Sequence, residues 1–320
     1  MVDTFLAIED LTVASGPDAS LRTILAGLSL QIEEGRRIGL VGESGSGKTM
    51  AAGSIVGLLP TGVRAVDGSV KLDGRELLGM TEAQLRTVRG REIAVIYQNA
   101  LSSLNPVIPV GRQIADVGRV HLGLTKAQAM ERAVQLMGVM GIPDPERRAL
   151  DYPHQFSGGM AQRVSIAMAL IAHPRLIIAD EPTTGLDATI QAQVLETIAQ
   201  SVAETGAALL LISHDLVVVE SMTDEIVVLY AGVVLEHGPT GEVMADPLSP
   251  YTRGLVASVV QAGGQVSYIP GRIPEPGTVP VNSCPFAARC PLVTARCREE
   301  RPVLRELRPG RRVACHNVEA

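Results

Sequence analysis

Aromatic residues are scarce in this sequence, which has no tryptophan, five tyrosines and three phenylalanines among 320 residues. Proteins that bind nucleic acid usually combine basic patches with aromatic side chains on which bases stack. The formal net charge here is −6, the opposite of a basic surface. The composition therefore argues against nucleic acid as a partner.

Long apolar runs are also missing, although the mean hydropathy of +0.22 is high. A membrane-spanning helix needs about 18 or more consecutive apolar residues, and the longest runs, such as 166–172 and 207–212, are much shorter. The N-terminal segment MVDTFLAIED lacks the basic region and apolar stretch of a secretory signal. We therefore expect a cytosolic chain that reaches a membrane only through a partner.

Strand and helix patterns alternate along most of the chain. Apolar residues two apart in the first 35 residues predict antiparallel strands. Further predicted strands are 37–41, 93–97, 176–179, 207–212 and 226–229. Single helices are predicted at 48–59, 188–203 and 251–260, and several amphipathic helices, one of them at 126–140, are predicted within about 110–150. Such alternation predicts an α/β fold with a mainly parallel sheet covered by helices. A Gly/Pro-rich linker at 263–280 follows.

A phosphate-binding loop is indicated at 42–49, where GESGSGKT stands between a predicted strand and a predicted helix. In G-x-x-x-x-G-K-[ST], glycines let backbone N–H groups turn toward phosphate oxygens, and the helix adds its positive end. Lys48 can reach the β- and γ-phosphates, and the Thr49 hydroxyl can bind Mg²⁺. The predicted ATP-binding residues are Gly42, Glu43, Ser44, Gly45, Ser46, Gly47, Lys48 and Thr49. The strand and helix on either side argue against an ordinary glycine-rich turn.

An acidic pair ends the apolar segment LIIADE at 176–181. In an open α/β sheet, the end of such a strand faces the ligand crevice. Asp180 is therefore suited to hold Mg²⁺, and Glu181 is suited to orient and deprotonate an attacking water. Strands that simply end in two solvated acids are common, but the phosphate loop earlier in the chain favours the catalytic interpretation.

Further motifs resemble those of ABC transporter ATP-binding subunits. The segment FSGGMAQRV at 156–164 is similar to the signature of that family. The resemblance implies that Ser157, Gly158 and Gly159 complete the ATP site of the opposite subunit. It covers about residues 1–260 and implies a P-loop NTPase of the ABC type. This fold has a RecA-like parallel sheet core, an antiparallel β subdomain and a helical subdomain inserted at about 100–172.

Three more matches stand in the family's order along the chain. Gln98 in VIYQN resembles the Q-loop glutamine, Asp187 in GLD the D-loop aspartate, and His214 in LLLISHDL the switch histidine. The resemblance implies catalytic roles for Gln98, Glu181 and His214, and it places Gln98 at Mg²⁺ together with Thr49 and Asp180. The family usually stacks adenine on an aromatic residue before the phosphate loop, and the segment 11–20 contains none.

The branch of the family is indicated by QNALSSLNPVIPVGRQIAD at 98–116, DPLSPYTRGLVAS at 246–258 and CPFAARCP at 284–291. These segments resemble D-type ATPases of dipeptide, oligopeptide and nickel importers. The resemblance implies ATP-driven peptide import, with nickel or glutathione import as alternatives. It also implies a second ATPase subunit (a distinct F-type paralogue), two permease subunits and an extracytoplasmic substrate-binding protein. The chain would then lie peripherally on the cytoplasmic face of the membrane, with residues 261–320 as a C-terminal extension.

Cysteine is absent before residue 284, after which Cys284, Cys290, Cys297 and Cys315 are spaced C-x5-C-x6-C-x17-C. Two disulfides are disfavoured in a reducing cytosol, whereas four thiolates can close a metal site. Structural zinc prefers close C-x2–4-C pairs, and a 4Fe–4S cluster tolerates irregular spacing. We therefore favour the cluster, which the resemblance also implies, and keep zinc and free thiols as alternatives. Arginines that could offset the cluster's charge are Arg289, Arg296, Arg298, Arg301, Arg311 and Arg312.

Other classes of ABC ATPase fit the sequence less well. DNA-repair members carry a long coiled-coil insertion between the phosphate loop and the signature, and translation members carry two ATPase units per chain. This chain has neither feature, so a soluble ABC ATPase is a remote alternative. The peptide-importer motifs argue against an exporter.

Overall fold

The computed structural model describes residues 4–98, 100–259 and 268–318. The chain divides into two compact units, of which the first combines Met1–Met80 with Leu211–Ala320 and the second comprises Thr81–Leu210. The last residue of the predicted helix 251–260 and the first five of the predicted linker 263–280 lie outside the described residues.

The elements follow in chain order. The first segment contains β1 (Thr4–Ser15), β2 (Arg22–Glu33), β3 (Arg37–Val41), α1 (Lys48–Ile55), β4 (Val63–Leu72) and β5 (Arg75–Glu76). The second unit contains α2 (Glu82–Val88), β6 (Ile93–Ile96), α3 (Ala100–Ser103), α4 (Val110–Leu122), α5 (Lys126–Val139), α6 (Pro145–Arg148), α7 (Gly158–Leu170), β7 (Leu176–Asp180) and α8 (Ala188–Thr205). Then come β8 (Ala208–Ser213), at the unit boundary, α9 (Leu216–Met222), β9 (Glu225–Tyr230), β10 (Val233–Pro239), α10 (Thr240–Ala245), α11 (Pro250–Ala257), α12 (Ala295–Glu299), β11 (Arg305–Arg308) and β12 (Arg311–Val313).

An antiparallel sheet in the first unit has the strand order β2-β1-β4-β5. Leu6 pairs with Ile32, and Ile8 pairs with Leu30. All four of these side chains are buried, because residues two apart on a strand share one face of the sheet. The predicted antiparallel strands of the first 35 residues are thus confirmed.

A second run of strands in the first unit has the order β11-β12-β10-β9-β3. Here β3 and β9 are parallel, with Ile38 beside Glu225 and Val41 beside Val228, whereas β10 is antiparallel to both β9 and β12. The strand that precedes the phosphate loop is therefore supported by a strand that lies much later in the chain.

A buried ion pair attaches the end of the chain to β10. Arg311 is 1% exposed, and its Nη2 lies 2.7 Å from Oε1 of Glu236, which is fully buried. The Glu236 carboxylate also accepts the backbone N–H groups of Leu248 and Ser249. A buried charge is tolerated only when it is paired and hydrogen-bonded, and this carboxylate meets both conditions.

The second unit joins a parallel strand pair to a group of helices. β6 lies beside β7, with Ile93 opposite Leu176 and Ile96 opposite Ala179. Helices α4 and α5 both pack on α7, whose Val164 and Ile166 are fully buried. Within the described ranges, none of the helices combines the length and apolar character that a membrane crossing requires.

The helix predicted at 48–59 is shorter than expected, because α1 ends at Ile55. Gly57 adopts φ +63°, and the Leu58 N–H donates to the Gly53 carbonyl. A glycine in the left-handed region closes a helix in this way. The sequence pattern missed this stop, and it also missed five strands, namely β4, β5, β10, β11 and β12.

Candidate functional site

The loop between β3 and α1 carries the predicted phosphate-binding residues. Gly42 and Gly47 have φ values of +152° and +108°, which side chains rarely allow. A Cβ on Gly42 would lie 2.1 Å from the Leu229 carbonyl oxygen, and one on Gly47 would lie 2.6 Å from Cδ2 of Leu25. These two positions therefore need glycine both for curvature and for space.

Lys48 is the first residue of α1 and is 5% exposed. Its Nζ donates to the carbonyl oxygens of Gly42 at 2.8 Å and Glu43 at 3.1 Å, so the loop curls around the ammonium group. Ser46 is buried, and its Oγ has no hydrogen-bond partner among the described residues. The loop residues that face solvent are Ser44, Gly45 and Thr49. An anion bound at this face would meet backbone N–H groups and the positive end of α1.

His214, the predicted switch residue, follows β8 directly. The next residue, Asp215, caps α9 by accepting the Val217 N–H at 3.0 Å. His214 lines a cavity of about 460 Å³ together with Gly42 and Glu43. The phosphate loop and the switch histidine of the first unit thus face one shared space.

In the second unit, the predicted Q-loop residue meets the predicted general base. Nε2 of Gln98 donates to Oε2 of Glu181 at 3.2 Å. The contact follows from the parallel pairing of β6 and β7, because each residue comes shortly after the end of its strand. The hydroxyl of Thr184 donates to the same Oε2 at 2.8 Å. Two donors therefore fix the orientation of the Glu181 carboxylate.

The backbone at Glu181 is unusual. Its φ is +48°, a left-handed conformation that is uncommon for a residue other than glycine. Asp180, the last residue of β7, is 8% exposed and has an ordinary strand position. The chain therefore leaves the extended conformation of β7 directly after Asp180. Local strain of this kind concentrates at functional sites.

The signature residues lie at the start of α7. Ser157 is the N-cap, and its Oγ accepts the Met160 N–H at 3.3 Å. Gly158 is exposed, whereas a Cβ on Gly159 would lie 3.0 Å from Cγ2 of Ile190 on α8. The helix start therefore presents Ser157 and Gly158 outward, and Gly159 allows close helix packing.

Asp187, the predicted D-loop residue, caps α8. Its Oδ1 accepts the N–H groups of Thr189 at 3.1 Å and Ile190 at 3.0 Å. Such a cap contributes about 1 kcal/mol to helix stability. The residue thus has a structural task in its own unit, which its motif alone did not indicate.

The four cysteine thiols of the first unit lie close enough for their charges to interact. Burial raises the pKa of Cys284 to about 11, and the other three cysteines add to that rise. Burial also raises the pKa values of Cys290 and Cys315. No group of three or more His, Cys, Asp or Glu side chains within the described ranges is arranged to hold a single metal ion.

Backbone groups hydrogen-bond to the cysteine sulfurs and favour their ionised form. Such bonds come from Phe286 to Cys284, from Leu292 to Cys290 and from Asn317 to Cys315. Cys297 is 5% exposed, and its Sγ lies 3.3 Å from the Thr294 hydroxyl. The segment therefore provides polar contacts to each sulfur.

The arginines of the tail have different partners, and not all of them lie near the cysteines. Arg296 pairs with Glu300 at 2.8 Å, and Arg311 pairs with Glu236. Burial lowers the pKa of Arg301, and the charge of Cys284 partly opposes that effect. Arg289 instead pairs with Glu43 of the phosphate loop. The sequence missed this last contact because the two residues are 246 positions apart.

Comparison with known families gives two matches. Residues 25–184 match the family described as ABC transporter, and residues 235–297 match the C-terminal region of oligopeptide/dipeptide transporters. A probable peptide ABC transporter ATP-binding protein of Sinorhizobium fredii is 44% identical over 98% of this chain and 95% of its own length. The oligopeptide transport ATP-binding protein of Salmonella typhimurium is 40% identical over 98% of this chain and 93% of its own length. The dipeptide transport ATP-binding protein of Escherichia coli is 40% identical over 97% of this chain and 96% of its own length.

Solved structures share the fold. A dimeric ATP-binding cassette in a post-hydrolysis state with ADP and Pi is 23% identical, has a TM-score of 0.66, and is matched over 73% of this chain and 98% of its own. A component of the cbiONQ ABC transporter complex from Clostridium perfringens is 24% identical, with a TM-score of 0.64 and coverage of 76% and 92%. The predicted fold class is confirmed by this likeness.

Proposed function

The chain belongs to the ABC transporter family and is one of its ATPases, and from this premise we propose that it powers the import of dipeptides or oligopeptides. The cargo class rests on the match of residues 235–297 to the C-terminal region of peptide transporters. It is also supported by identities of 40–44% to peptide-transport subunits over nearly the whole chain.

The proposed hydrolysis of ATP is supported by the hydrogen bond between Gln98 and Glu181. Glu181 accepts a proton from the water that attacks the γ-phosphate. The two donors on Oε2, from Gln98 and Thr184, hold the carboxylate in one orientation. A base held in position reduces the cost of reaching the reactive geometry. His214 contacts the γ-phosphate from the cavity that it shares with Gly42.

The phosphates of ATP bind the loop from Gly42 to Thr49. Backbone N–H groups and the first turn of α1 attract the phosphate oxygens, and Lys48 exchanges its loop carbonyls for phosphate. Thr49, Gln98 and Asp180 are the residues that would hold Mg²⁺, which neutralises charge on the phosphates.

Each chain supplies two different halves of an ATP site. Residues Ser157, Gly158 and Gly159 at the start of α7 face the ATP of an opposing ATPase subunit. An F-type paralogue is the proposed opposing subunit, and two permeases and an extracytoplasmic binding protein complete the transporter. The chain works at the cytoplasmic face of the membrane. We divide it into a nucleotide-binding domain at 1–260, with a helical insertion at about 100–172, and an extension at 261–320.

The extension is proposed to carry a 4Fe–4S cluster on Cys284, Cys290, Cys297 and Cys315. Four mutually interacting thiols, each with a polar contact at sulfur, form the donor set that such a cluster requires. When bound, the cluster would tie the tail into one piece. The residues of the chain orient the sulfurs, of which that of Cys297 is buried and the other three are partly buried.

Transport assays on the assembled complex test this function. The chain is reconstituted in proteoliposomes with its two permeases, its partner ATPase and the binding protein. We expect ATP-dependent uptake of labelled dipeptides or oligopeptides, and loss of uptake with Lys48→Ala. Uptake of Ni²⁺ or glutathione in place of peptides would refute the cargo assignment.

A further inference from the structure

A cavity of about 340 Å³ in the first unit opens beside Gly45 of the phosphate loop. One of its walls is formed by Leu21 and by the start of β2, with Thr23 and Ile24. A second wall comes from residues 274–281 of the C-terminal tail, which we call the tail wall. Binding pockets for small molecules commonly occupy about 300–1,000 Å³, so the cavity is large enough for a ligand.

The two walls expose apolar side chains toward this space. Leu21 is 39% exposed and Val281 is 76% exposed, and both line the cavity. Exposed apolar side chains that line one groove mark a surface that a ligand can cover. No aromatic residue is among the described residues that line it. Glu275 and Arg301 supply the charged groups at its edge.

Close contacts hold the tail wall against the first unit. Gly277 has φ +78°, and a Cβ there would lie 2.9 Å from Cβ of Arg22. Cγ2 of Ile273 lies 3.7 Å from the position that a Cβ on Gly45 would occupy. The tail wall therefore packs directly on the start of β2, and Ile273, the residue before it, lies against the phosphate loop. Because this wall is already packed in place, a ligand that binds there would lose little free energy to ordering it.

We propose that the tail wall and the start of β2 hold the purine base of ATP. The inference rests on the proposed binding of phosphates by the loop from Gly42 to Thr49. A nucleotide whose phosphates occupy that loop extends its base into neighbouring space, and the cavity adjoins the loop at Gly45. The base is largely apolar on its two faces, and the exposed apolar side chains of Leu21 and Val281 line the cavity that would receive it. The tail thus supplies the surface for which the segment 11–20 has no aromatic residue.

The experiment compares two valines of equal exposure in the full-length chain. Val281 lines the cavity, whereas Val303 is also 76% exposed but does not line it. Each is changed to asparagine, which removes apolar contact without adding charge. Calorimetric titrations measure the affinities for ATP and for tripolyphosphate, both with Mg²⁺. The first ligand has a base and the second does not.

We expect Val281→Asn to weaken ATP binding by about tenfold and to leave tripolyphosphate binding unchanged. Val303→Asn should match the unaltered chain with both ligands. Val281→Phe adds a stacking surface and should tighten ATP binding severalfold, a gain that misfolding cannot produce. ATP affinity that is unchanged in both Val281 variants would overturn the base site.

A further variant separates this inference from the proposed function. Lys48→Ala should weaken the binding of both ATP and tripolyphosphate. If it changes neither affinity, the phosphate-loop assignment itself fails, and the base site fails with it. If Lys48→Ala acts as expected while the Val281 variants do not, only the base site is wrong.

Discussion

Nη1 of Arg289 lies 2.8 Å from Oε2 of Glu43, and this ion pair joins the cysteine segment to the phosphate loop. The Arg289 side chain is 7% exposed, and it also donates to the Tyr230 hydroxyl at 3.3 Å. The Glu43 N–H in turn donates to the Tyr251 hydroxyl at 3.0 Å. The two tyrosines pack together with Phe286. The tail thus contacts the Glu43 side chain of the phosphate loop and also the two tyrosines, of which Tyr251 holds the Glu43 backbone.

Arg289→Ala should destabilise the protein, because it removes several charge-assisted hydrogen bonds at a nearly buried site. We expect thermal unfolding to show a Tm lower by about 5 °C. Arg308→Ala is the matched control, since Arg308 and Asp246 form a pair of similar length at 2.7 Å with both side chains about half exposed. Exposed pairs contribute little, so equal Tm shifts in the two variants would contradict the structural role of Arg289.

Glu181→Gln should abolish ATP hydrolysis while ATP still binds. The amide keeps the size of the side chain but cannot accept the proton of water, so we expect turnover to fall by about 100-fold or more. Phosphate release by the assembled transporter and nucleotide titration measure the two effects. Glu196→Gln on α8, where the residue is exposed, is the control. Rapid turnover by Glu181→Gln would remove this residue from the role of base.

The Asp224 carboxylate gives a stability contribution that depends on pH. Burial acts to raise its pKa, but hydrogen bonds from the Arg37 side chain and backbone, and the arginine's charge, outweigh burial and hold the pKa below the usual 3.8. The folded state therefore favours the ionised carboxylate. Its contribution is complete above the usual pKa and is lost as the pH falls through the lower folded value.

The comparison of Asp224→Asn with the unaltered chain should show this dependence. Their difference in unfolding free energy should be about 1 kcal/mol, constant near neutral pH, and should shrink below about pH 4. Denaturant unfolding at a series of pH values measures it. Asp246→Asn breaks an exposed pair and should have a smaller effect throughout. If the difference in unfolding free energy between Asp224→Asn and the unaltered chain increased in acid, the pKa of Asp224 would be raised and not lowered by folding.

Anaerobic purification should yield a brown protein with about four irons per chain. Cys297→Ser removes a buried sulfur and should lower the iron content and the visible absorbance. Ala288→Ser introduces a hydroxyl at an exposed position of the same segment and should leave both unchanged. A colourless protein with one zinc per chain would overturn the cluster in favour of the zinc alternative.

Local motifs predicted the part of the site that is local in sequence. The curvature of the phosphate loop follows from Gly42 and Gly47, and the position of Glu181 follows from the buried strand before it. The meeting of Gln98 and Glu181 could be expected only from family resemblance, because strand pairing decides which strand ends are neighbours. The end of α1 depended on Gly57, whose effect is also local but was missed.

Long-range partners could not be read from the sequence. Arginine and glutamate are both common, and nothing near Arg289 or Arg311 specifies Glu43 or Glu236. Those pairs form because the pairing of β12 with β10 brings the tail next to the rest of the first unit. The tail wall likewise has the sequence PEPGTVPV, whose prolines and glycine are typical of a linker, and only its packing on β2 makes it part of a cavity.

The order of synthesis has a consequence for a unit assembled from two separate segments. The second unit, Thr81–Leu210, is continuous, whereas β3 pairs with β9 and Glu43 with Arg289. Ribosomes add about 5–20 residues per second, so β3 waits roughly ten seconds or more for its neighbour. During that time, the apolar β3 is a target for chaperones. The phosphate loop is thus translated well before β9 and Arg289, the later parts of the chain that support it.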